Sequence, residues 1–201
     1  MNTVIKRVVF GAWRILAGFA RPSGASNARR LSARGETVAS LMIREATEAD
    51  IPALARLHVT TWNATYAPLL MSGPGIEIRE RQWREGFARR DAAWFCFVVQ
   101  RPDGELVGFA QANRSDHPEF AGELNKIYLL AEYQRLGLGR RLLGQVARRF
   151  LNQGIHSMWL FGDARNPSSG AWKALGAEKT DRDPGNGNYG WRDLRKLVER
   201  T

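Results

Sequence analysis

From Met42 onward the apolar positions follow two rhythms. Ile51, Leu54, Leu57, Thr61 and Trp62 recur at helical spacing. Ahead of them Thr47-Glu48-Ala49-Asp50 resembles a capping box, with Asp50 where Glu or Gln is usual. Pro52 falls in the first turn, where its missing N–H would have had no partner. Pro68 and Ser72-Gly73-Pro74-Gly75 interrupt, and Ile76 to Arg89 predicts a second, highly charged helix carrying Ile78, Trp83 and Phe87. The rhythm then changes. Ala93 to Gln100 is almost wholly apolar, ends at the turn Arg101-Pro102-Asp103-Gly104, and is answered by Glu105 to Asn113, which predicts a hairpin.

Met42 to Ala46 predicts a short strand, Ser115 to Gly122 a polar loop, and Glu123 to Leu130 a further strand. Leu142, Leu143, Val146 and Phe150 share one face of a helix over about 138–152, which Gly154 stops. Ser157 to Phe161 predicts a buried strand and Pro167 to Leu175 a short helix ending at Gly176. Asp183 to Asn188 must be a loop, and Tyr189 to Leu197 is compatible with a closing strand. The order β-α-α-β-β-β-α-β-α-β, with three strands in succession, predicts an α+β fold on a mixed, mostly antiparallel sheet flanked by helices.

Residues 1–41 differ in kind. Arg7, Arg14 and Arg21 recur every seven positions, near one helical face of an otherwise apolar stretch, followed by the loop signature Arg21 to Asn27. An acid-poor, Arg- and Ser-containing segment suits an organellar transit peptide, an interfacial membrane helix, or an extension without function. In each case the domain is expected to begin at Met42 and run to 201, with 1–41 outside the fold. The compartment would be the cytoplasm, or an organellar matrix if 1–41 is a transit peptide.

The chain has 201 residues and a formal charge of +10, but seven cations and one anion lie within 1–41. The remainder carries only +4, which suits an anionic ligand and argues against nucleic acid as a partner of the main domain. One Cys (Cys96) excludes an internal disulfide, and three scattered His residues offer no metal-ligand spacing. No metal is expected. No 18-residue apolar run exists, so membrane contact would be confined to a surface and to residues 1–41.

The informative stretch is a strand, a turn, and Gln134-Arg135-Leu136-Gly137-Leu138-Gly139-Arg140 opening an amphipathic helix. Two glycines one residue apart let the backbone approach a ligand. Unbonded helix-start N–H groups and the positive dipole end make an anion site, to which Arg135, Arg140 and Arg141 add charge. No Gly-Lys-Ser/Thr follows, so a P-loop is excluded; Leu142 stands where a Rossmann fingerprint needs its third glycine.

The full pattern resembles the acetyl-CoA signature of the GCN5-related N-acetyltransferase (GNAT) superfamily, Gln/Arg-x-x-Gly-x-Gly/Ala, matched by Gln134, Gly137 and Gly139. Ile127-Tyr128-Leu129-Leu130 precedes it as the family's strand does, and Asn166 followed by Trp172 to Ala177 looks like the second cofactor segment. Met42 to Ala46 and the helix ending near Trp62 and Tyr66 are also similar. The resemblance spans roughly 42–180 and implies a GNAT-like acyl-CoA N-acyltransferase fold. It implies acetyl-CoA as co-substrate and a primary amine, on a small molecule or a protein, as acceptor, in a monomer or homodimer.

It also implies site residues. Ile127, Tyr128, Leu129, Gln134, Arg135, Leu136, Gly137, Leu138, Gly139, Arg140 and Asn166 would bind the cofactor. The family strand splays from its neighbour, which would free backbone groups of Ile127 and Leu129 and set the Leu129 N–H near the thioester oxygen. Such a donor is typically worth about 3 kcal/mol in the transition state. An alkylammonium must lose a proton before attacking, and Glu123 is the candidate base, directly or through water. Strand alternation would put Glu123, Asn125, Ile127 and Leu129 on one face.

Trp172 stands where the family often has a Tyr to protonate the thiolate, and indole cannot serve. Tyr189, Tyr133 or water would then act. Cys96, within Trp94 to Val99, reads as buried and structural; His58 reads as a packing or surface residue more than a site residue. The rival to an enzyme is a non-catalytic acyl-CoA-binding regulatory module, which the missing Tyr favours.

Overall fold

The computed structural model describes residues 23–66, 72–89, 93–162, 169–180 and 187–201. In chain order the elements are α1 (Gly24–Ala33), β1 (Met42–Glu45), α2 (Ile51–Tyr66), α3 (Ile76–Ala88), β2 (Phe95–Gln100), β3 (Leu106–His117), β4 (Phe120–Leu129), α4 (Leu138–Asn152), β5 (Met158–Leu160), α5 (Ser169–Ala174), β6 (Glu178–Lys179), β7 (Tyr189–Trp191) and α6 (Leu194–Val198). The described strands form one sheet in the order β1-β2-β3-β4-β5-β7-β6. Every pair is antiparallel except β4–β5. The predicted mixed sheet is present.

Helices cover both faces because each strand pair supplies apolar residues to both. On one side Leu138, Leu142, Leu143, Val146 and Phe150 of α4 are fully buried with Leu194 and Leu197 against Val99, Val107, Ala110, Ala112 and Leu124. On the other, Ile51, Leu54 and Leu57 of α2 and Trp83 of α3 pack on Cys96, Val98 and Phe109. The cap before α2 forms as its residues suggest. The Thr47 N–H donates to Asp50 Oδ2 at 2.8 Å, and Arg44 grips the same carboxylate with two 2.8 Å bonds. The Arg44 hydrogen bond holds the Asp50 carboxyl below the usual carboxylate range. In the β2–β3 turn the Gly104 N–H donates to the Arg101 carbonyl, with Gly104 at φ +92°.

Three expectations need correction, and a fourth is met over the described residues. The stretch 115–122 is mostly strand, since β3 runs to His117 and β4 starts at Phe120. It reads as a loop because the hairpin projects past the core, where exposed polar side chains alternate with half-buried ones. The closing strand stops at Trp191; Asp193 then accepts the Arg195 N–H at 3.0 Å and starts α6. Of the helix expected over 167–175, Ser169–Ala174 is helical, and 163–168 lie outside the described residues.

The third correction concerns the N-terminal segment. Residues 1–22 lie outside the described residues, but 24–41 are packed into the fold. Leu31 and Leu41 are each 1% exposed. Asn27, fully buried, donates from Nδ2 to the carbonyls of Ala131 and Gln134, both at 2.9 Å. Gly24 lies so close to the Arg135 carbonyl that a Cβ there would sit 2.5 Å from its oxygen. Buried Glu36 accepts hydrogen bonds from Arg101 at 2.7 Å and from the Tyr133 hydroxyl at 3.2 Å. Net positive composition hid these contacts, because the few residues that make them are scattered among exposed arginines.

Candidate active site

β4 and β5 are joined by two residue pairs only, Gly122–Met158 and Glu123–Trp159. Beyond Glu123 the strands part. The Leu130 N–H donates to the Val107 carbonyl at 2.9 Å, so antiparallel alternation turns the Ile127 and Leu129 peptide groups away from β3, towards the side β5 has left. A cleft of 780 Å³ fills the gap, walled by the open edge of β4, by Leu160 at the end of β5 and Phe161 after it, and by Trp172 and Leu175 of the following segment.

Arg135, Gly137, Gly139 and Arg140 close one end of the cleft. Arg135 (φ +59°) and Gly137 (φ +80°) both take left-handed backbone, and Gly137 caps α4. The first intrahelical donor is the N–H of Arg141, onto the Gly137 carbonyl at 3.0 Å. The amides of Leu138, Gly139 and Arg140 precede it and have no turn behind them to bond. Gln134 shapes this end: its side-chain Nε2 donates to the Leu129 carbonyl at 2.9 Å, tying the helix start to the strand end. Arg141 is turned away, donating to the Val38 carbonyl at 3.3 Å. Leu138 is fully buried and Leu136 packs on the core, so those two positions offer the cleft backbone alone. Asn166 lies outside the described residues.

The face assigned to Glu123 is corrected by a bulge. Leu124 pairs with Ala112 and Lys126 with Gln111, so Asn125 has no partner across the ladder. The extra residue reverses alternation. Leu124, Ile127 and Leu129 pack on the α4 side, whereas Tyr128 packs on the α2–α3 side. Glu123 stands opposite Asn113, which lines a second cavity with Lys126 and His58. Directly opposed residues share a face, so Glu123 faces α2 and α3 with Lys126 and Tyr128. It lies on the other face of β4 from Ile127 and Leu129 and lines neither cavity itself, whereas Asn125 and Lys126 line both. Sequence periodicity carries no sign of a single inserted residue, which is why the strand looks unbroken.

Neither nominated proton donor reaches the cleft. The Tyr133 hydroxyl is spent on Glu36, and Tyr189 is buried in the core beside α4. Trp172 does line the cleft, edge-on to Trp191 at 6.4 Å between ring centroids. Two other phenols line it, Tyr128 and Tyr66. Burial, followed by the charge of Tyr66 and a hydrogen bond to it, raises the Tyr128 hydroxyl, so Tyr128 stays protonated through the neutral range. Cys96 is 1% exposed and burial pushes its thiol up, which removes it as a nucleophile.

His58 and Lys126 are the ionisable groups that sequence left in the background. His58 is 3% exposed, edge-on to Trp83 and Phe109 and 5.6 Å from the Tyr128 ring. Burial, then the charges of Arg79 and Lys126, lower its pKa to about 3. Lys126 donates to Gln111 Oε1 at 3.2 Å and to Asn125 Oδ1, and burial lowers it to about 8. The histidine sets an acid limit. Between pH 6.5 and about 3 the unfolded chain binds a proton at His58 and the folded chain does not, so stability falls as pH falls through that window. We expect His58→Phe to recover on the order of 3 kcal/mol of this acid loss. Denaturant melts of both proteins at pH 7 and pH 4 check it; a constant difference between them at the two pH values contradicts the assignment.

Comparison with known proteins places this parted sheet and glycine-started helix among the acyltransferases. The chain belongs to the acetyltransferase (GNAT) family, whose profile matches residues 52–177. It is 33% identical over 143 residues, 70% of this chain and 82% of the relative, to the uncharacterized N-acetyltransferase YuaI of Bacillus subtilis. Its fold matches the PaiA N-acetyltransferase of Thermoplasma acidophilum in complex with coenzyme A, with TM-score 0.58, 21% identity and coverage of 75% of this chain and 98% of that one. It matches the spermidine/spermine N-acetyltransferase SpeG of Vibrio cholerae with TM-score 0.58, 17% identity, and coverage of 81% and 98%. The expected family and fold are therefore present.

Proposed function

We propose that this N-acetyltransferase binds acetyl-CoA with its diphosphate on the first turn of α4 and its thioester beside Leu129, and passes the acetyl group directly to an amine. The observation that carries this reading is the parting of β4 from β5 after two residue pairs, at the end of which the Gly137–Arg140 amides collect. The residues suit such a ligand. The helix-start amides, Arg135 and Arg140 match a diphosphate, and the Ile127 peptide groups turned away from β3 match the amides of an extended pantetheine arm, the Leu129 carbonyl being taken by Gln134. The Leu129 N–H is left for the thioester oxygen, where a donor stabilises developing negative charge.

Glu123, on the opposite face of β4, takes the proton from the incoming ammonium, directly or through water. That placement suits a base better than the shared face expected from alternation, because acceptor and thioester then meet across the bulge. Tyr66 and Tyr128 supply hydroxyls near the departing sulfur, and a thiol of ordinary acidity leaves with little further help. The missing Tyr at Trp172 thus does not by itself favour a non-catalytic binding module. Among the described residues no helix is long and apolar enough to cross a membrane.

Glu123→Gln should lower kcat by about 100-fold near neutral pH while leaving CoA affinity unchanged. Thiol-release kinetics beside a CoA titration check this. Loss of affinity together with rate would mean that Glu123 shapes the cleft instead of moving a proton.

A further inference from the structure

The second cavity, 320 Å³ between β4 and α3, has a lining that the acyl-transfer chemistry does not require. Arg79, Lys126 and Arg89 contribute positive charge to it, against one lining carboxylate, Glu85, which is exposed. Arg79 is 8% exposed and meets only a neutral partner, donating from Nη1 to Gln82 Oε1 at 3.0 Å. The Lys126 ammonium likewise bonds amide oxygens alone. No described carboxylate forms an ion pair with either. The Arg79 Nε and Trp83 Nε1 donors are buried without an acceptor. A buried guanidinium held by a neutral group is costly unless an anion completes it, and the half-buried Lys126 ammonium adds a second positive charge to the same cavity.

The cavity also opens where an acceptor would stand. Asn125 and Lys126 line it and the thioester cleft together, and Glu123 lies on the same face opposite Asn113. An ammonium near Glu123 and an anion near Arg79 and Lys126 would then be satisfied by one molecule. Resting on the acyl-transfer reading above, we infer that the second cavity is the acceptor pocket and selects an amine that also carries a carboxylate, as an amino acid or a short peptide does. A polyamine would bring its remaining positive charges against Arg79 and Lys126.

The test is thiol release over a panel of amino acids and dipeptides, each as free acid and as methyl ester, with spermidine as the polycation. Esterification removes the anion and also makes the amine a less basic, more readily deprotonated nucleophile, so a preference for the acid runs against intrinsic reactivity. The expected kcat/KM for the acid exceeds that for the ester by about 10- to 100-fold, the span of one hydrogen-bonded charge. Arg79→Gln should bring that ratio towards one, and Arg79→Lys should restore part of it. Esters equal to or better than acids, spermidine as the best acceptor, or no acid turned over by protein that binds CoA would each overturn the inference while sparing the cleft assignment. Absence of CoA binding in a parallel titration would overturn both.

Discussion

Gly137→Asp should abolish measurable CoA binding, a loss of at least about 100-fold by calorimetric titration. Two effects add. Gly137 sits at φ +80° as the cap of α4, a conformation that costs a residue with a side chain about 1–2 kcal/mol. A carboxylate there would also face the amides that the diphosphate needs, replacing attraction with repulsion. Gly137→Ala separates the two, because a Cβ at this position meets nothing within 4 Å. The alanine variant should therefore show the conformational cost alone and keep most of its affinity. Equal affinity in the aspartate variant and the parent would place the diphosphate elsewhere.

A chain beginning at Met42 should be less stable than one beginning at Ser23 by on the order of 5 kcal/mol. Leu31 and Leu41 each remove nearly a whole leucine from water, which is worth about 1.5–3 kcal/mol apiece. Asn27 satisfies two carbonyls of the turn that leads to α4, each bond being worth about 1 kcal/mol. Such a loss is a large part of the stability of an ordinary domain. The truncated chain should melt earlier in denaturant and bind CoA more weakly, since Gln134 and Arg135 lose the helix beneath them. An unchanged midpoint would show that 24–41 merely lie on the surface.

How far the sequence reveals this protein depends on which signals are local. The capping residues Thr47 and Asp50, the Gly104 turn and the apolar face of α4 are set by neighbours within a few positions, and the structure forms them as the pattern implies. The glycine-started helix was legible for the same reason, its two glycines lying on either side of the α4 start. The bulge at Asn125 was not, because it is a fact about pairing between strands, and it moved Glu123 to the opposite face from the one periodicity implies. The role of α1 was hidden similarly. Asn27 looks like any loop residue until Ala131 and Gln134, more than 100 positions away, are brought to it. The cationic second cavity draws Arg79 and Lys126 from two elements whose meeting no spacing announces.

The two-pair seam between β4 and β5 has a mechanical consequence. It divides the sheet into two leaves, β1 to β4 and β5 to β7, stitched edge to edge over a very short length. Fluctuations that pull the leaves apart meet little backbone resistance there, so any molecule wedged into the gap acts as a splint, and its own free energy of association adds to the rigidity of the whole sheet.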